Sequence, residues 1–455
     1  MQRRHEHDYD VIIGGGGVAG ASVAAAMHQL GLRVLVVEPG LNDARRLAGE
    51  VFHPPGVIGL AELGLLSALR SPDAIALEGF SVSVDGDRIQ LPYDSVHAHR
   101  TSGLSLEHGL IRSRMLDAVA KLPGVTVAQG ARVVGIDQSD ASQAIVNVST
   151  GDESRPYRCG MVIAADGTSS HLARLSGIRI ANRRISTILG YRITTQNLPQ
   201  AGFGHVFLGG ETPILVYPIS QTQARVLFDL PNETDRRAGT AGCITLAAAL
   251  PSALRAEVAQ AIETQPRLSF VTQATVPDRV AHGRMALVGD AGGCCHPLTA
   301  SGMTMCISDA LLLRRALADA PDDVPAGLRL YQERRHWPQA TRLVLADALR
   351  DALCGASPAL RVIRRGILTH WQHNADGRAA TMALLSTADG RPSVLLRHIA
   401  AVMARGLVAH IRSPSSTEGA VGALSLTCSL AADLFRNVRH IARHWTGAGR
   451  LFGMR

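Results

Sequence analysis

Lysine is almost missing from this chain of 455 residues: Lys121 is the only one among 46 basic side chains, so the positive charge is arginine throughout. Aromatic residues make up only 4%. No aromatic stacking platform or recognition motif accompanies the basic charge, which argues against a nucleic-acid partner. The seven cysteines, at 159, 243, 294, 295, 306, 354 and 428, give neither a disulfide framework nor paired C-x-x-C metal spacing. A reducing cytoplasmic setting is therefore expected. No run of 18 apolar residues free of charge occurs, and the N-terminus lacks the apolar core of a signal peptide, so neither spanning nor secretion is expected. Membrane contact, if present, should be superficial.

The composition that remains, 46% hydrophobic and 18% charged, is globular, and the length suits two or three domains. The net charge of +8 is unevenly spread. Residues 361–455 hold thirteen arginines against Asp376, Asp389, Glu418 and Asp433, a local balance of +9 that leaves the first 360 residues near −1. From about residue 340 the pattern is helical. Near its end Leu434, Phe435, Val438, Ile441 and Trp445 interleave with Arg436, Arg439 and Arg443. Apolar positions at helical spacing beside arginines suit an interfacial helix lying on an anionic membrane surface. The alternative is a pair of amphipathic helices that cap a soluble fold with a solvated basic side.

The first chemistry lies near the N-terminus. Tyr9-Asp-Val-Ile-Ile13 is a short apolar run that ends in Gly14, Gly15, Gly16 and Gly17; an Ala-rich helical pattern follows to Leu30, then a second buried strand from Arg33 to Glu38. Within this strand, turn, helix and strand, Gly15-x-Gly17-x-x-Gly20 satisfies the dinucleotide fingerprint. Gly15 allows the turn, Gly17 lets the backbone approach a pyrophosphate at the helix N-terminus, and Gly20 lets helix and strand pack closely. Glu38 ends the second strand, where a carboxylate can accept from a ribose diol. A glycine-rich turn of any α/β protein is the plain alternative, and the fingerprint alone does not separate NAD from FAD.

Two later motifs make the choice. Met161-Val-Ile-Ala-Ala-Asp166-Gly167 and Met285-Ala-Leu-Val-Gly289-Asp290 are both buried strands that end in an acid. Taken singly, each acid could be an ordinary helix cap or turn residue. After Asp290 an irregular stretch runs through Cys294-Cys-His296-Pro297 to Gly302-Met303, where a helical run begins. An extended cofactor that starts at the fingerprint could be met here again. Asp290 would bond ribityl hydroxyls, and the free N–H groups of Gly302 and Met303 would face the pyrimidine edge of a flavin. FAD is the expected cofactor.

These motifs resemble the FAD-dependent monooxygenases of the aromatic-hydroxylase superfamily, and in detail the squalene monooxygenase (squalene epoxidase) branch. The residues that carry the closer likeness are Gly289-Asp290, His296-Pro297-Leu298-Thr299-x-x-Gly302-Met303-Thr304 and Ser308-Asp309. Supporting pieces are Arg46-Leu-Ala-Gly49-Glu50, Pro54-Pro55-Gly56, Leu91-Pro92-Tyr93 and Arg225-Val-Leu-x-Asp229. The resemblance implies an FAD held by Gly15, Gly16, Gly17, Gly20, Glu38, Arg46, Arg112, Asp166, Gly289, Asp290, Pro297, Gly302 and Met303. Arg46 also suits a pyrophosphate on chemical grounds, because guanidinium pairs bidentately with phosphate oxygens. Several positions depart from the pattern. Ala173 stands where the superfamily places an arginine, Arg174 comes one residue late, Ala300-Ser301 replace two glycines, and Phe80 stands at a position usually Tyr in the eukaryotic enzymes.

The fold expected is α/β: a Rossmann-type FAD-binding domain (1–75, 101–175 and 281–340), a β-sheet substrate domain (76–100 and 176–280) and a C-terminal helical region (341–455). What the resemblance implies is insertion of one oxygen atom from O2 into an apolar polyene or isoprenoid through a flavin C4a-hydroperoxide. Phe80 and Tyr217 could line the substrate cavity. No side chain need act as a nucleophile, and no metal site is expected: H-E-x-x-H and G-x-S-x-G are absent, and Cys294-Cys295-His296 reads as buried thiols beside a structural imidazole that orients the loop. Electrons would come from NADPH directly or through a separate reductase, and attachment would be peripheral on the inner face of the membrane. Hydroxylation of an aromatic, quinone or polyketide substrate on the same fold stays open, as does a non-catalytic flavoprotein that binds a lipid or partner.

Overall fold

The computed structural model describes residues 7–40, 47–84, 86–94, 101–210, 212–231, 240–355 and 357–412. Arg46, Cys428 and the arginine-lined pattern at 434–445 lie outside the described residues.

The first sheet has eight strands. Tyr9–Gly14 lies at its centre, parallel to Val34–Glu38 on one side and to Glu153–Ala164 on the other. Val125–Gln129 extends the first flank and Met285–Leu287 the second, both in parallel register. Strands covered on both faces must be apolar at every position, not at every second one. Val11–Ile13 and Val34–Val37 meet that demand and are buried throughout. The helix Val18–Gln29, buried from Val18 to Met27, covers one face and packs against Gly302–Ala318 and His108–Ala120.

The second sheet has seven strands in the order Leu268–Pro277, Ile180–Thr194, Gln223–Pro231, Ile214–Pro218, Phe203–Phe207, Gly79–Val84 and Asp87–Pro92. All of its pairs are antiparallel except Phe203–Phe207 with Gly79–Val84. A small sheet of Val51–Phe52, Gly103–Ser105 and Ile75–Leu77 lies where the chain passes between the two layers.

Four helices complete the described chain: Val324–Cys354, Pro358–His373, Ala375–Leu385 and Pro392–Arg412. The first runs without interruption through Pro338 and across residue 340. The second and fourth cross at Gly366 and Gly406, where an added Cβ would meet backbone of the other helix at 2.4 to 2.9 Å. Two glycines at one crossing let the backbones approach this closely. The segment Pro392–His410 is long and apolar enough to cross a bilayer by length and composition, and only 17% of its apolar window is buried. Arg397 and Arg405 interrupt it, so it is not a charge-free run.

Candidate active site

The glycine turn has the shape its chemistry requires. Gly15 adopts φ +104°, and a Cβ there would come within 2.5 Å of Ala165 O. At Gly20 an added Cβ would be 1.8 Å from Gly15 O, so the helix rests directly on the turn. Gly17 is the opposite case: apart from its chain neighbours, no atom of the described residues lies within 4 Å of an added Cβ, although Gly17 immediately precedes the first helical residue. Open space against unsatisfied N–H groups at the positive end of a helix is a cradle for a pyrophosphate. Gly16 N donates to Glu38 Oε2 at 2.6 Å, Gly40 N donates to Glu38 Oε1 at 3.0 Å, and Arg112 stands 3.9 Å from the same oxygen. Glu38 and Arg112 thus sit together beside the turn. Asp166 accepts from Ser170 Oγ, His171 N and Leu172 N, so its carboxylate caps the short helix His171–Leu175.

The second acid-bearing turn lies one strand away. Gly289, at φ +58°, donates its N–H to Asp309 Oδ2 at 2.8 Å, and Asp290 is half-buried on the short 3-10 turn Gly289–Gly292. Sequence reasoning missed what holds this loop from behind. Along the helix Val324–Cys354, Tyr331 donates to Leu287 O, Arg335 to Asp309 Oδ1 (2.8 Å) and Gly292 O (2.7 Å), Gln339 to Gly293 O, and Arg342 to Ser301 Oγ (2.9 Å). Positions 331, 335, 339 and 342 follow a spacing of four, four and three, one face of a helix. That face is polar and buried, a signal the sequence did contain.

His296 fixes the loop on its other side. Its Nδ1 accepts from Leu298 N, so the proton resides on Nε2, which donates to Asp229 Oδ2 at 3.1 Å and lies 3.3 Å from Ser186 Oγ. Burial by itself would raise the pKa of Asp229, but the hydrogen bonds from His296 and Ser186 outweigh it and hold the carboxyl below its ordinary range. Pro297 opens the turn Pro297–Thr299, Ala300 takes φ +51°, and the helix Gly302–Ala318 begins with Met303 packed on Gly49. Burial pushes the Cys294 thiol up to about 12, so it is no thiolate near neutral pH. No group of three or more metal-ligating residues occurs among the described residues.

Beside the loop opens a cavity of about 460 Å³, its mouth included. Phe80, Val82, Leu91 and Val206 of the second sheet form one wall, and Leu349, Leu353, Trp371 and Leu385 of the C-terminal helices form another. His53, Leu298 and Thr299 complete the lining. His53 is the one imidazole there, and both of its nitrogens are engaged. Nε2 donates to Thr299 O at 2.9 Å, which leaves Nδ1 to accept from Tyr93 Oη at 2.6 Å, and the His53 backbone N–H donates to Thr304 Oγ1. Burial raises the Tyr93 phenol far above its ordinary pKa, so it stays protonated. Tyr217 is absent from this lining. It donates to Glu50 Oε2, which also takes Arg225 Nε at 3.0 Å, while Arg225 Nη2 reaches Glu50 Oε1 at 2.7 Å in a wholly buried cluster.

The sequence-predicted residues are therefore brought together in two groups: Gly15, Gly16, Gly17, Gly20, Glu38 and Arg112 around the first turn, and Gly289, Asp290, Pro297, Gly302 and Met303 along the second. Phe80 lines the cavity and Tyr217 stands apart from it. The residues present fit FAD: a phosphate cradle, a carboxylate beside it, and a second loop that ends at a helix N-terminus.

A family model described as squalene epoxidase matches residues 158–421. The chain belongs to the squalene epoxidase family. It is 30% identical over 421 residues to squalene monooxygenase SE1 of Panax ginseng, covering 88% of this chain and 76% of that protein. It is 27% identical to squalene epoxidase erg1 of Schizosaccharomyces pombe, covering 89% and 92%. Among solved structures, PqsL of Pseudomonas aeruginosa in complex with 2-aminobenzoylacetate is 25% identical with a TM-score of 0.66, over 76% of this chain and 97% of that one. Another structure of that protein is described as "a probable FAD-dependent monooxygenase". A flavoprotein/dehydrogenase of Cytophaga hutchinsonii superposes with a TM-score of 0.74 over 89% of this chain and 99% of that one at 16% identity, which speaks for the fold alone. This member of the squalene epoxidase family is thus an α/β flavoprotein of Rossmann type and an FAD-dependent monooxygenase.

Proposed function

We propose that the enzyme inserts one oxygen atom from O2 into a carbon–carbon double bond of an apolar polyene or isoprenoid. The cavity carries this reading. Its walls are aliphatic and aromatic, and its one imidazole has no lone pair left for a substrate proton. A hydroxylase of phenols would need a base at that position. Epoxidation of an alkene removes no proton from the substrate.

FAD, when bound and reduced, supplies the activated oxygen that no side chain provides. The chain's own residues do the rest. Gly15, Gly17 and Gly20 shape the phosphate cradle, Glu38 and Arg112 would hold the ribose end, and Asp290, Pro297, Gly302 and Met303 would border the ring. Leu298, Phe80, Trp371 and Leu385 exclude water and hold the chain of the substrate. Asp166 serves this site indirectly, by fixing the turn that follows its strand. We assign the FAD-binding part to the first sheet, the substrate part to the second and the helical part to the last four helices, the first of which, Val324–Cys354, runs across the expected boundary at 340. Electrons come from NADPH or a separate reductase: Ala173 is buried where the superfamily has an arginine, which favours the separate reductase. Peripheral attachment to the inner face of a membrane is supported by the apolar segment Pro392–His410, on which Val408 is exposed.

The deciding experiment is mass spectrometry of products formed by purified protein, FAD, a reductase and 18O2, with a panel of linear polyenes and phenols. A polyene product heavier by one labelled oxygen is expected. Turnover of phenols alone would replace the reading by aromatic hydroxylation, and oxygen uptake that no compound stimulates would leave a flavoprotein that only binds.

A further inference from the structure

Arg342 is 94% removed from solvent by the fold, yet its charge has no carboxylate within 4 Å among the described residues. Nε donates to Ser301 Oγ at 2.9 Å and Nη1 to Gln339 Oε1 at 3.3 Å, both neutral acceptors. Nη2 makes no hydrogen bond to any described residue, and it lies 3.9 Å from the position a Cβ would take on Gly302, the first residue of the helix Gly302–Ala318. Arg335, two turns earlier on the same helix, has Asp309 at 2.8 Å. A nine-tenths buried cation whose hydrogen-bond acceptors are both neutral is costly, and an anion placed beside Nη2 would offset that cost. The helix N-terminus beside it adds unsatisfied N–H groups and the positive end of a dipole, so two independent sources of positive potential converge on one spot.

We propose that Arg342 is an electrostatic positioning residue for the flavin: its guanidinium faces the N1–C2=O edge of the isoalloxazine and stabilises the negative charge that this edge carries in the reduced state. The proposal rests on the assignment of Gly302 and Met303 to the ring's pyrimidine edge. It makes Arg342 a setter of redox potential, with Ser301 and Gln339 holding the planar group in place. Lysine, as a point charge, would keep the potential and lose the fixed geometry.

The test uses purified holoenzyme, wild type and the variants R342Q and R342K. The readouts are the FAD content, the two-electron midpoint potential against a reference dye, and the affinity for sulfite, whose adduct at N5 places negative charge on the same edge. In R342Q the sulfite affinity should fall at least tenfold, and the midpoint potential by about 30 mV for each tenfold change in the equilibrium. R342K should recover most of both. A yellow R342Q protein with sulfite affinity and potential within twofold and a few millivolts of wild type overturns the proposal, as does R342K behaving like R342Q. Should R342Q lose its cofactor, R342K decides: sulfite affinity and midpoint potential close to those of the wild type support the proposal, and a tenfold loss of sulfite affinity overturns it. Colourless wild-type protein that takes up no FAD would instead sink the cofactor assignment, and this inference with it.

Discussion

The loop from Gly289 to Met303 has two unlike neighbours. Behind it, Arg335 and Gln339 donate to its carbonyls, Arg342 to the Ser301 hydroxyl, and Asp309 accepts from its first N–H. In front, Leu298 and Thr299 look into a cavity walled by Leu349, Leu353, Trp371, Leu385 and Phe80. The same long helix serves both sides, with its polar stripe at 331 to 342 and its apolar residues at 349 and 353. Directional bonds fix where a backbone goes, whereas non-directional apolar contact selects by size and shape. On the proposed assignment of loop to cofactor and cavity to substrate, the difference teaches that the two are served by separate kinds of contact, so they should be separable by substitution.

The largest effect should come from breaking the polar side. Asp309→Ala strands the buried Arg335 charge and the Gly289 N–H together, and should cost about 3–5 kcal/mol of stability, read from urea denaturation, with FAD lost on gel filtration. If the variant keeps its cofactor and its midpoint, the clamp is not what seats the loop. A filling substitution on the apolar side should do the reverse. Leu353→Phe narrows the cavity, and kcat/KM for a polyene should fall about tenfold, equal to about 1.4 kcal/mol of transition-state binding, while FAD content stays at wild-type level. Loss of cofactor here would mean that the two sides are not independent. The smallest effect at neutral pH concerns a group outside both. His205 is buried in the second sheet against Phe207, and burial pushes its pKa down to about 4. The unfolded chain takes up a proton near pH 6.5 that the folded imidazole refuses, so stability is lost as pH falls from about 6.5 to 4. His205→Phe should flatten that limb of the stability profile and leave the plateau above pH 7 in place.

How much of this could be read from the residues depended on distance along the chain. Gly15, Gly17, Gly20 and Glu38 lie within 24 residues, and local spacing alone dictates strand, turn and helix; all were legible. The loop after Gly289 was legible through family likeness, and Asp309 entered only as part of that likeness. Tyr93, like Asp309, entered only as part of that likeness; His53, Arg335 and Arg342 were not foreseen, because each acts through a partner tens to hundreds of residues away, and His53 reaches across 246 residues to Thr299. The buried polar stripe on an otherwise apolar helix was the available clue. Tyr217 looked like a cavity residue because its neighbours Ile214, Leu215 and Val216 are apolar. Its hydroxyl finds Glu50, 167 residues earlier, a pairing no local pattern encodes. The C-terminal helices were expected as a cap or a membrane contact, yet Trp371 and Leu385 make them part of the cavity wall.

Asp309 joins the first N–H of the loop to an arginine that is made 26 residues later. During synthesis the phosphate cradle leaves the ribosome early, long before the partner that locks the far end of the seat has been made. Nascent chains stopped before Arg335 should therefore capture the nucleotide poorly, and colour should develop only after the long helix has emerged.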